Sequence, residues 1–159
     1  MPIKDATTNY SGRTKDISIL QYPDPLDVDP QNMLVSFGRV GRFCAGVQKL
    51  IQRYTILLLT NLDSQPYYPE FGTNLISSLR NGVSAMDMIG VNQIFNAASY
   101  EAVGVIRAAQ IYDQDSPPDE RIFSAELVNA SMLGSAVNFS VKITTESSTA
   151  ISFILPLPI

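Results

Sequence analysis

Glu70 and Glu101 are the two carboxylates of this chain with the strongest claim to acid–base work. A glycosidase needs two carboxyl groups about 5 to 10 Å apart in a sugar-binding cleft, one of them held protonated by its surroundings. Glu70 stands two residues before Gly72, which opens a helix, and a carboxylate placed there serves backbone amides and the helix dipole. The chain has no tryptophan and offers no aromatic platform for a sugar, so the glycosidase is the minor alternative. With no histidine, a Ser or Cys nucleophile lacks its usual base and the common zinc sites are excluded. Asp24, Asp27 and Asp29 invite a calcium reading, yet they lack both the Asp-x-Asp-x-Asp-Gly spacing and the distal Glu of a calcium loop. Gly38-Arg39-Val40-Gly41-Arg42 has neither the Gly-Lys-Ser/Thr ending of a phosphate loop nor the third glycine of a dinucleotide fingerprint. Cys44 is the sole cysteine and reads as a small buried apolar residue. Nothing in the chain calls for a metal or a cofactor.

The elements that carry these residues begin with a helix. Phe43, Val47, Leu50, Ile51, Tyr54, Leu57 and Leu58 recur at steps of three and four, predicting a helix from Phe43 to Thr60, about 27 Å long. Asn61 closes it in a left-handed conformation, and Asp63-Ser64-Gln65-Pro66 turns the chain. Thr73 caps a short helix that stops at Asn81-Gly82. Ser84 and Asp87 read as a capping box for a longer helix with Met88, Val91, Phe95 and Ala98 as its buried stripe, ending near Glu101. From Val103 the period changes to two. Strands are expected over Val103–Tyr112 and Arg121–Val128, with Ser116-Pro117-Pro118-Asp119 as the turn between them. The alternation is cleanest in Val137, Phe139, Val141, Ile143 and in Ile151, Phe153, Leu155, joined as a hairpin at Glu146-Ser147-Ser148. The apolar tail Pro156-Leu157-Pro158-Ile159 either docks elsewhere or folds back on its own domain.

Upstream, residues 1–32 are rich in Thr, Ser, Asn, Asp and Pro and read as an extended arm, with a short strand around Ile17 and Ile19. Met33-Leu34-Val35-Ser36-Phe37 reads as a further strand. Residues 33–159 then form a single α+β domain, a helical half packed on a C-terminal antiparallel sheet.

The ordered set Gln52, Leu58-Leu59-Thr60, Pro69-Glu70-Phe71-Gly72 and Leu75 resembles the small baseplate wedge proteins of contractile phage tails and related injection machines, the sheath initiators once labelled lysozyme-like. The resemblance runs from about Val40 to the C-terminus. Two departures mark it: Asp63-Ser64 stands where many members have Gly-Glu, and Glu101-Ala102-Val103 where they tend to have Glu-Pro-Arg. The resemblance implies a non-enzymatic structural protein, six copies around the tail tube, with wedge subunits and the sheath protein as partners. It implies that Gln52, Pro69, Glu70, Phe71, Gly72, Leu75 and Glu101 face the wedge. It also implies that the strands bearing Val137, Phe139, Val141, Ile143, Ile151, Phe153 and Leu155 accept strands from the sheath.

Composition sets the outer limits. The 159 residues are one domain's worth, and 45% hydrophobic content is globular. A charged fraction of only 16% leaves much of the surface suited to facing other protein, in a virion assembly or in a plain interaction module. Eleven basic against fifteen acidic residues, with no basic cluster, disfavour nucleic acid. The N-terminus lacks the apolar run of a signal peptide and no segment spans a membrane, so the expected location is the host cytoplasm, then the tail baseplate.

Overall fold

In a computed structural model, which describes residues 15–21, 33–34, 36–37, 43–82, 87–113 and 115–158, three helices pack against a C-terminal sheet. Residues 1–14 and 22–32 of the expected arm, with Asp24, Asp27 and Asp29, the glycine-rich stretch 38–42, Ser84 and Ile159 lie outside the described residues. Five two-residue strands come first: β1 (Asp16–Ile17), β2 (Leu20–Gln21), β3 (Met33–Leu34), β4 (Ser36–Phe37) and β5 (Phe43–Cys44). β1 pairs antiparallel with β5, and β2 with β4. The strand expected across 33–37 is thus divided between two partners.

Helix α1 spans Val47–Leu59, four residues shorter at its start than the apolar spacing predicts. Gly46 at φ 64° is its N-cap, and Phe43 is an exposed strand residue rather than the first knob of the buried face. At the other end Thr60 turns extended and its Oγ1 donates to the Ile56 carbonyl at 2.7 Å; Asp63, not Asn61, is the left-handed residue. Helix α2 covers Leu75–Gly82. Helix α3 runs from Met88 to Tyr112, with Asp87 as its own N-cap through a 3.0 Å bond from Gly90 N to Oδ1.

The strand expected at Val103–Tyr112 is therefore the second half of α3. Ala102, Ile106 and Gln110 extend the stripe of Val91, Phe95 and Ala98 at helical steps, and that buried face overrides the β-branched residues at Val103 and Val105.

Strands β6 (Ile122–Leu133), β7 (Ala136–Thr145) and β8 (Ala150–Pro158) form the antiparallel sheet, in the order β3-β8-β7-β6 with β3 parallel to β8. Gly134 at φ 63° makes the two-residue turn between β6 and β7. One face of the sheet is apolar throughout: Val137, Phe139, Val141 and Ile143 oppose Leu157, Leu155, Phe153 and Ile151, all buried. Leu157 settles the tail: it folds back on its own domain.

In β6 the alternation expected from the sequence, Phe123, Ala125 and Leu127 on one side with Ser124 and Glu126 on the other, is broken by two register shifts, between Ile122 and Ser124 and between Leu127 and Asn129. Each shift leaves one residue unpaired, so Phe123 and Val128 are thrown outward while Ile122, Ala125, Leu127 and Ala130 turn toward the core.

The helices close that face. Phe95 of α3 stacks on Phe139 with ring centroids 4.4 Å apart, and Tyr54 of α1 meets Phe153 edge-on at 6.3 Å. Ile151, Phe153, Leu155 and Leu157 each contribute about 1.5–3 kcal/mol by burial, together comparable to the ~5–15 kcal/mol net stability of a domain. Deleting residues 146–159 should accordingly yield an unfolded chain, seen as loss of the cooperative urea transition by circular dichroism.

Candidate functional site

The residues expected to face a partner fall into two groups. Residues 61–70 are all exposed, among them Pro69 and Glu70, and Glu101 is exposed midway along α3. Phe71 is half-buried against the core, while Gly72 and Leu75 are buried. Gly72 adopts φ 132°, and a methyl group there would lie 2.6 Å from the Thr60 carbonyl oxygen, so only glycine fits. Next to it Thr73 N donates to Thr60 O at 2.8 Å, Leu62 N to Thr73 O at 3.1 Å, and Thr73 Oγ1 to Leu58 O at 2.8 Å. The Pro-Glu-Phe-Gly segment thus ties off the end of α1 and holds up an exposed loop carrying Tyr67 and Tyr68. Neither tyrosine stood out in the sequence, because solvent exposure of a loop aromatic leaves no periodic signal.

Gln52 is not on a partner surface. It is 2% exposed, and its amide grips the chain's own N-terminal segment: Nε2 donates to Ile17 O and Oε1 accepts from Ile19 N, both at 2.8 Å. A buried side-chain amide serves here as a fragment of β-ladder, satisfying a donor and an acceptor that α1 could not otherwise pair.

A second polar node went unforeseen. Glu120 is 4% exposed at the N-terminus of α1, where its Oε1 accepts from Gly46 N at 2.8 Å and its Oε2 lies 3.1 Å from Lys49 Nζ. The helix start supplies unpaired N–H groups and a positive dipole end, so a carboxylate is well placed there. Gln110 completes the junction: its Nε2 donates to Glu120 O at 2.8 Å and its Oε1 accepts from Ile122 N at 3.1 Å. The start of α1, the end of α3 and the start of β6 are joined at one point. In the sequence Glu120 follows a Pro-Pro-Asp turn and looks like any solvated loop acid.

The strands assigned to a sheath partner present no side-chain surface through the named residues. Val137, Phe139, Val141, Ile143, Ile151, Phe153 and Leu155 all point into the core, so these strands can meet a partner only through backbone or through their opposite face. No family model, curated protein or solved structure matches the chain. An open depression beside α2 is bounded by Asn74, Ser77, Ser78, Asn81 and Ile94, with neither Glu70 nor Glu101 among them. Among the described residues no three acidic, Cys or His side chains converge to hold a metal, and no helix is long and apolar enough to cross a membrane.

Cys44, paired with Asp16 in the β1–β5 ladder, reports on the Gln52 grip. Burial, then the nearby Asp16 charge, pushes its thiol pKa up, which keeps the reactive thiolate scarce near neutral pH. Gln52→Leu leaves Ile17 O and Ile19 N unpaired and should cost about 1–3 kcal/mol. It should also accelerate labelling of Cys44 by a thiol reagent at pH 8 in the folded protein; an unchanged rate would mean that the segment is held by other contacts.

Proposed function

We propose that this chain is a structural assembly protein of a contractile tail baseplate, linking the wedge to the tail and seeding the first sheath ring by accepting strands on its C-terminal sheet. The family resemblance of the ordered residues from Gln52 to Leu75 motivates the reading, and the observation that carries its mechanism is the outer side of β6. That strand pairs with β7 alone among the described residues. Its first half packs along α3, where Arg107 Nη2 donates to the Phe123 carbonyl. From Val128 to Leu133 it has no proline, and Val128, Met132 and Leu133 are exposed.

The opposite margin of the sheet is a poorer template. β8 carries β3 alongside Phe153 and Ile154, and its Pro156 and Pro158 have no N–H to give. An incoming strand is therefore best received along Val128–Leu133. Each added backbone bond contributes only about 0.5–1.5 kcal/mol net, yet several bonds per strand, repeated around a ring of six copies, make an attachment that holds while the sheath contracts. Wedge contacts in this reading come from the exposed loop 61–70 and Glu101, with the tail tube as a further neighbour.

Val128→Lys combined with Leu133→Lys places charge on the receiving edge without touching the core. The doubly substituted protein should fold normally but fail to start sheath polymerisation on tubes; sheath growth at the wild-type rate would contradict the mechanism. Glu70→Gln with Glu101→Gln should leave the wall-degrading activity of assembled particles unchanged. Muralytic activity in the purified protein, lost in that variant, would instead establish the glycosidase.

A further inference from the structure

The backbone of the β6 margin has a definite phase, and two features fix it. Pro158 and Pro156 of β8 stand opposite Ala136 and Asn138 and have no N–H to exchange. Their pairs are therefore the non-hydrogen-bonded ones of the β7–β8 ladder, and Val137, Phe139, Val141 and Ile143 turn their N–H and C=O groups toward β8. Ala136, Asn138 and Ser140, lying between, turn theirs toward β6, where they meet Leu133, Ser131 and Asn129. The turn at Gly134 agrees, since a two-residue hairpin closes on a hydrogen-bonded pair, here Leu133 with Ala136. Ala130 and Met132 are left with both backbone groups pointing outward, and among the described residues nothing pairs with them there. Nearer the start of β6 the chain supplies its own partner, because Arg107 takes the Phe123 carbonyl at the first bulge.

The same phase sorts the side chains. Ala130 and Met132 stand opposite Phe139 and Val137, so they lie on the core side of the sheet. Ala130 packs against the core, and Met132 is 41% exposed beyond it. Tyr100, 83% exposed, lies about two turns before Arg107 on the side of α3 that reaches this margin. Asn129 and Ser131 lie on the other side, beside Ser140 and Asn138. One flank of the margin is thus apolar and the other polar without charge.

Resting on the strand-accepting reading of β6, we propose that the occupant is an antiparallel strand of alternating character, with apolar side chains opposite Ala130 and Met132 and uncharged polar ones opposite Asn129 and Ser131. Antiparallel pairing lets Ala130 and Met132 each exchange both bonds with the single residue opposite, and it is more stable per residue than parallel pairing. Residues directly opposite share a face, so the partner's apolar side chains extend the core side past Met132.

Hydrogen exchange of the full chain, read by amide NMR with a capped synthetic peptide of alternating valine and threonine, tests this without a tail. In the free chain the amides of Ala130 and Met132 should exchange fast while those of Asn129, Ser131 and Leu133 are protected. Millimolar peptide should slow Ala130 and Met132 severalfold. N-methylation of every valine should remove the effect, because those N–H groups face the margin; N-methylation of every threonine should leave it. Met132→Glu should abolish the slowing and Ser131→Glu should preserve it, the two side chains lying on opposite faces. No slowing, a loss on methylating threonine instead of valine, or equal sensitivity to the two substitutions would overturn the proposal. So would protection of Ala130 and Met132 that rises with protein concentration in the absence of peptide, which would give the margin to a second copy. Binding in this register together with a bare margin in an assembled tail would count against the baseplate reading alone.

Discussion

Two aromatic contacts, Phe95 upon Phe139 and Tyr54 against Phe153, fasten the helical layer to the sheet, and the remaining architecture follows from them. Because α1 and α3 occupy the apolar face of β7 and β8, that face is unavailable to any partner. What the sheet can still offer is its polar face and its margins. The side chains with the clearest strand periodicity are therefore the ones closed off from any partner, and what stays exposed is the backbone of the margins and residues such as Phe123 and Val128 at the bulges.

Polar side chains do the joining at the rim of this core. Gln52 and Gln110 each use both ends of an amide on main-chain groups, and Glu120 supplies an anion to the start of α1 with Lys49 beside it. Such a buried ion pair is favoured only when hydrogen bonds satisfy its remaining atoms, as the Gly46 amide does here. The consequence is a base in which the N-terminal segment, both long helices and the first sheet strand are mutually positioned without a metal or a disulfide among the described residues.

Much of this was legible in the residues. The α+β class, the stripes of α1 and of the first half of α3, and the buried faces of β7 and β8 follow from clean periods of 3.6 and 2. The second half of α3 was not, because Val103-Gly104-Val105-Ile106 has strand-like composition and only tertiary burial of Ala102 and Ile106 decides for helix. Nor was the length of β6, although Leu133-Gly134-Ser135-Ala136 carries a two-residue hairpin signal that could have extended it. The first of its two bulges throws Phe123 off the face that Ala125 and Leu127 keep, and nothing in local composition marks either bulge. Of the motif residues, spacing alone did not separate the exposed Pro69 and Glu70 from Gln52, Gly72 and Leu75, whose work is internal.

The central claim is that the C-terminal sheet is an open platform on a helical base, completed by another protein along β6. A cryo-EM map of an assembled contractile tail containing this chain tests it directly. The account predicts a foreign strand hydrogen-bonded along Val128–Leu133, between the wedge and the first sheath ring. A map in which that margin stays bare, with a saccharide held between Glu70 and Glu101 instead, would contradict it.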